Sequence, residues 1–149
     1  MAGMEGLGRL FNVVPVCTAG GAINLAGCSA VSFVITGSTA VPTLTVAPSF
    51  AGSYISTGFA PITRVYWSTL TTGTTAWNKA TITAANTFTL GTTTGLTTAT
   101  AAVFTVFGSQ MLAGYDYIKC TVTGSGIGAA ILHDLTVQRA PASLAILGA

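Results

Sequence analysis

The chain holds one histidine, His133, and beside it Asp134, the one place where an acid and an imidazole are neighbours in sequence. A general base needs its orienting carboxylate within hydrogen-bond reach. Neighbours on a strand point to opposite faces, so these two cannot form a catalytic pair with each other. His133 shares its parity with Leu135 and Val137, which predicts an imidazole at the edge of a core. Together with Glu5 and Asp116, Asp134 makes a set of acids too small and too dispersed for a glycosidase carboxylate pair or a calcium loop. No GxSxG, P-loop or HExxH pattern occurs. With the single imidazole already placed, a serine or cysteine nucleophile has no base. The expectation is a non-enzymatic chain without cofactor or metal.

Three cysteines, Cys17, Cys28 and Cys120, leave an odd one, and their spacing fits neither a zinc ribbon nor a CxxC motif. Cys17 and Cys28 are in a position to bridge; the preferred reading is three reduced thiols in or near the core, as suits a reducing cytoplasm. Five cations, Arg9, Arg64, Lys79, Lys119 and Arg139, are scattered singly. No run tracks a phosphate backbone, so direct nucleic-acid binding is not expected. Nor is a membrane span, since no run of 18 apolar residues exists. No export signal is read at the N-terminus, where Asn12 and Pro15 interrupt LFNVVPV.

The elements that must carry these residues are strands. Only 5% of the chain is charged and 50% is hydrophobic, and threonine makes up about one residue in six. A typical soluble domain is about a quarter charged. Threonine forms strands and also faces water, so a threonine-coated monomer is one reading of the surface. The other and preferred reading is that copies of the chain or a partner cover much of it.

Residues 25–38 (LAGCSAVSFVITGS) and 112–125 (LAGYDYIKCTVTGS) match at both ends with a constant offset of 87 residues. Val31, Phe33 and Ile35 in the first copy, and Ile118, Cys120 and Val122 in the second, take the inward positions of an alternating strand. Each copy precedes a Leu-Thr-Val, at 44–46 and 135–137, so each is read as a β-hairpin, with a longer turn in the second copy. Around this frame strands are expected at 10–16 (a sheet edge, given Pro15), 62–67, 77–83, 86–90 and 100–107, the last buried on both faces. Trp67 and Trp77 are read as core anchors, and 91–100 as a polar connection. Loop 48–61 carries Phe50, Tyr54 and Phe59, either tucked under the sheets or presented to a partner. Tyr115 and Tyr117 share the outward parity of Lys119. The threonine clusters drift too much for an ice-binding array. One domain, 1–149, is expected: an all-β antiparallel β-sandwich, jelly-roll-like or immunoglobulin-like, with a flexible N-terminal arm (1–12) and C-terminal tail (141–149).

Residues 112–137, an L-A-G-Y-x-Y-I-K-x-x-V-T strand, a Gly/Ser turn and an alternating strand, with an opening strand at 32–38, resemble a module of tailed-bacteriophage virion proteins. The Asp-Gly-x-x-Trp turn often found in such modules is absent; residues 49–54 occupy its place. The resemblance implies a capsid decoration (cement) or head-fibre-like protein. It would be a homotrimer or other homo-oligomer, assembled in the host cytoplasm and bound to the major capsid protein at the capsid surface. The residues expected at such an interface are Leu10, Phe11, Phe50, Tyr54, Phe59, Tyr115, Tyr117, Leu144, Ile146 and Leu147. Two other roles stand beside it: a carbohydrate-binding or adhesive surface module using Phe50, Tyr54 and Phe59, and a tail-tube or shell subunit.

Overall fold

A computed structural model describes residues 11–16, 21–25, 28–69 and 76–135. Among them nine strands form: β1 (Phe11–Val16), β2 (Ala22–Asn24), β3 (Cys28–Thr36), β4 (Val41–Ala47), β5 (Ile62–Ser68), β6 (Asn78–Ala85), β7 (Ala101–Phe107), β8 (Tyr117–Thr123) and β9 (Ile127–Leu135). Six make one antiparallel sheet, in the order β1-β9-β3-β7-β5-β6, and three make the other, β2-β8-β4. This is the all-β sandwich that the alternation predicts. Val31, Phe33 and Ile35 on β3 and Ile118, Cys120 and Val122 on β8 are buried, while Ser32, Val34, Lys119 and Thr121 are half-buried on the outer faces. Between the layers the Phe33 ring stacks on Phe104 at 5.3 Å, and Phe88 meets Phe104 edge-on at 5.3 Å. Burial of each such ring contributes roughly 1.5–3 kcal/mol.

The two repeated units are not hairpins. β3 lies in the large sheet and its successor β4 in the small one, while β8 lies in the small sheet and β9 in the large one. Each unit is an arch that crosses between the layers. The arches interlock: β3 pairs with β9 and β4 with β8. Phe33 faces Ala130 as Cys120 faces Leu44, and Val31 faces Leu132 as Ile118 faces Val46. These pairings relate the arches by an approximate two-fold axis. They also correct the Leu-Thr-Val match, because Leu44 corresponds to Ala130, whereas Leu135 lies opposite Cys28.

The axis passes between the arch tips, and it gives the shared Thr-Gly-Ser a physical reason. Gly37 and Gly124, equivalent in the repeat, both have positive φ, 128° and 75°. A Cβ on Gly37 would lie 2.7 Å from the Ser125 carbonyl oxygen, and one on Gly124 would strike the Thr39 carbonyl oxygen. Thr39 Oγ1 and Ser125 Oγ are hydrogen-bonded at 2.9 Å. Each tip therefore packs on the other's backbone, at a distance that only glycine permits. The second tip, residues 124–126, is shorter than the first, 37–40, contrary to expectation.

Residues 86–100 are not the strand and polar connection expected. β6 runs unbroken to Ala85, and the stretch after it folds under the sandwich, burying Phe88, Leu90, Leu96 and Ala99. It grips the first arch tip: Leu90 N–H donates to Ala40 O at 3.0 Å, and Gly37 N–H donates to Thr100 O at 2.8 Å. β7 is fully buried along one face, through Ala102, Phe104 and Val106; on the other face Ala101 is buried, Val103 and Thr105 are half-buried and Phe107 is 53% exposed. Trp77 is 49% exposed beside the edge strand β6 and anchors no core, whereas Trp67 packs against the core. β1 is an edge strand, as Pro15 implied, and it includes Phe11 and Asn12, which the expected arm had claimed. Residues 141–149 lie outside the described residues.

Candidate functional site

The outer face of the small sheet gathers the side chains with the most to offer a partner. β8 directs Ile118, Cys120 and Val122 inward, so Tyr117, Lys119 and Thr121 point out. Tyr117 lies opposite Ala47 and Asn24, and Lys119 opposite Thr45 and Ala22. These small neighbours leave space for residues 48–61, which fold back along β4 through a bridge between Val46 and Ile55. Phe50 then meets Tyr117 edge-on at 6.3 Å, and Tyr54 Oη donates to the Phe50 carbonyl at 3.2 Å. Lys119 Nζ stands 5.3 Å from the Tyr54 ring centroid, a cation–π contact of about 0.5–1 kcal/mol at an exposed site. Burial pushes the Tyr54 phenol upward, and the neighbouring Tyr117 adds to the shift. The result is an aromatic patch crowned by one cation.

Of the expected interface residues, the fold brings Phe50, Tyr54 and Tyr117 together. Phe59 is only 2% exposed and belongs to the core. Tyr115 precedes β8 and packs against the core rather than standing outward with Tyr117. Phe11 sits on β1 in the other sheet, opposite His133. Leu10, Leu144, Ile146 and Leu147 lie outside the described residues, as does Cys17 with the bridge considered for it. Sequence reasoning passed over Tyr66, Phe107 and Ile127, which stand exposed along the large sheet. For Phe107 the signal was its parity, opposite to that of Phe104 and Val106.

His133 is not at the core edge. Ala130 and Leu132 are the inward residues of β9, so His133 faces outward, opposite Ala30. Its Nε2 is hydrogen-bonded to Ser32 Oγ at 2.8 Å, and Ser32 Oγ to Thr105 Oγ1 at 2.7 Å. This polar row ties β9, β3 and β7. The hydroxyl–imidazole contact resembles part of a nucleophilic pair, but β3 and β9 are paired on both sides at this level. At this level their backbones are engaged in the sheet ladders. Cys28 and Cys120 are buried free thiols. Burial pushes them up to about 11 and about 12, so both stay protonated and unreactive near neutral pH.

The chain matches no protein-family model, no curated protein and no solved structure.

Proposed function

We propose that the protein is a non-enzymatic virion structural protein, a decoration (cement) protein that binds the outside of a phage capsid as a homo-oligomer. The observation that carries this reading is the patch of Phe50, Tyr54 and Tyr117 beneath Lys119, on a surface with very few charges. An exposed Phe50 with the half-buried Tyr54 and Tyr117 and a single cation suits protein–protein contact, where aromatic side chains are enriched and charge is depleted. The mechanism is burial of apolar surface across the boundaries between major capsid subunits, multiplied by many copies acting together. The interlocked arches supply a stiff body on which such a patch keeps its shape. The resemblance of residues 112–137 to virion modules points the same way.

An adhesive glycan patch built on Phe50, Tyr54 and Phe59 draws less support. Phe59 is in the core, and the Lys119 ammonium already lies over the Tyr54 ring. The test is reconstitution on particles stripped of the protein, with bound copies counted by quantitative mass spectrometry. The double variant Phe50→Ala/Tyr117→Ala is expected to fold and to lose most of its occupancy. Full occupancy by that variant would reject the patch as the docking surface.

A further inference from the structure

The large sheet splits between β5 and β7. Their pairing runs from Ser68 opposite Ala101 to Tyr66 opposite Val103 and stops there. Beyond that point the strands part, and the Gln110 side chain spans the gap, its Oε1 accepting from Phe107 N–H at 2.9 Å and its Nε2 donating to Pro61 O at 3.1 Å. β5 also loses its alternation here. Ile62 and Val65 are buried, Thr63 and Arg64 between them are both exposed, and the register with β6 shifts over the same residues. Bulges of this kind re-aim side chains. The outcome is an open cleft of about 290 Å³ between the strands, whose lining includes Arg64, Thr63, Tyr66, Thr105, Phe107 and Gln110.

The cleft's chemistry is specific. Arg64 places a guanidinium in the lining of this cleft, in a chain with three acids in all. Tyr66 and Phe107 flank the opening, 48% and 53% exposed. Thr63 brings a hydroxyl to the same space, and Thr105 adds one that it shares with Ser32. A wholly apolar ligand would leave Arg64 unused. A phosphate group would be expected to meet several cations or a cluster of backbone N–H groups. A planar guanidinium pairs with a carboxylate through two parallel hydrogen bonds. Aromatic walls suit the C–H faces of a pyranose ring, and hydroxyl and amide groups suit its hydroxyls. The volume lies at the lower limit for ligand pockets, which limits the occupant to about one ring.

From this cleft we infer that the protein binds a carboxylate-bearing sugar residue, such as a uronic or sialic acid at the end of a glycan. Arg64 holds the carboxylate, and Tyr66 and Phe107 hold the ring. This site lies on the other sheet from the aromatic patch and does not depend on the decoration role.

Isothermal titration calorimetry on the full chain tests it, with galacturonate oligomers and sialyllactose against neutral galactose oligomers and lactose, and a sulfated heparin disaccharide as a further arm. The acidic sugars are expected to bind at least about tenfold more tightly than their neutral counterparts. Arg64→Ala should remove that preference, Arg64→Lys should restore part of it, and Tyr66→Ala should weaken every sugar. Both positions are exposed on a folded body, and Ile127→Ala, at an exposed apolar position outside the lining, should leave binding unchanged. No heat from either acidic sugar up to about 10 mM would overturn the proposal. Equal binding by Arg64→Ala would do the same, and so would tighter binding of the sulfated disaccharide than of either carboxylate sugar.

Discussion

Replacing Gly124 by alanine tests the interlocked arches directly, because Gly58 provides an internal control. Both glycines have φ of 75°, so alanine meets the same backbone penalty at each, roughly 1–2 kcal/mol. They differ in what surrounds the new methyl group. At Gly58 nothing lies within 4 Å, whereas at Gly124 the methyl would strike the Thr39 carbonyl oxygen at the tip of the other arch. That atom is backbone and cannot swing aside as a flexible side chain does. Forcing a methyl into such a contact adds roughly 1–3 kcal/mol. Gly58→Ala should therefore cost about 1–2 kcal/mol and Gly124→Ala about 2–5 kcal/mol. Gly37→Ala should resemble Gly124→Ala, since its Cβ meets Ser125 O and Gly126 Cα. Urea unfolding followed by tryptophan fluorescence gives the free energies. Thermal melts should drop by about 2–4 °C for each kcal/mol. If Gly124→Ala and Gly58→Ala lose the same stability within about 0.5 kcal/mol, the arch tips do not pack as described and the two-fold argument fails.

Alkaline pH should unfold the protein through its thiols. Burial raises Cys28 and Cys120 above the usual value of 9.0, to about 11 and about 12. The folded state then holds protons that the unfolded chain releases, so this stabilisation is complete below pH 9 and is lost as pH rises toward 12. Cys120→Val should flatten the decline measured by urea unfolding across that window; an unchanged decline would refute it. Ser32→Ala removes the shared hydroxyl from the row of His133, Ser32 and Thr105 and should cost about 1 kcal/mol. Unchanged stability would show that the row contributes nothing. Gln110→Ala leaves Phe107 N–H and Pro61 O without their bridge and should raise hydrogen exchange at Phe107 selectively. Uniform exchange across β7 would argue against the bridge.

The inward faces were legible because a strand has period two. Val31, Phe33 and Ile35, and Ile118, Cys120 and Val122, could be read from spacing alone, and the structure buries all six. Partner choice was not legible. An alternating strand followed by a glycine turn has the same pattern whether the chain folds back within one sheet or crosses to another, so arches were read as hairpins. The Leu-Thr-Val match reinforced the error, since local strand propensity produces such triplets without structural equivalence. Leu90 and Leu96 were hidden among threonines, and Leu90 is held by a bond to an arch tip distant in sequence. In the candidate patch, the parity of β8 placed Tyr117 with Lys119. Loop 48–61 has no period, so nothing in it separated the exposed Phe50 from the buried Phe59. The gap where β5 and β7 part is spanned by Gln110 reaching across to Pro61, a contact that no local pattern encodes.

The pairing of β3 with β9 sets the order in which this protein can be made. β3 is complete once residue 36 has been synthesised, but its neighbours β7 and β9 do not arrive until residues 101–107 and 127–135. β4 likewise waits for β8. On the ribosome Phe33 and Ile35 have no sheet to enter until most of the chain has emerged, and the closure of such long loops makes folding late and slow. A chain stopped before β8 would leave that apolar strand uncovered, so premature termination yields an aggregation-prone fragment rather than a smaller working domain.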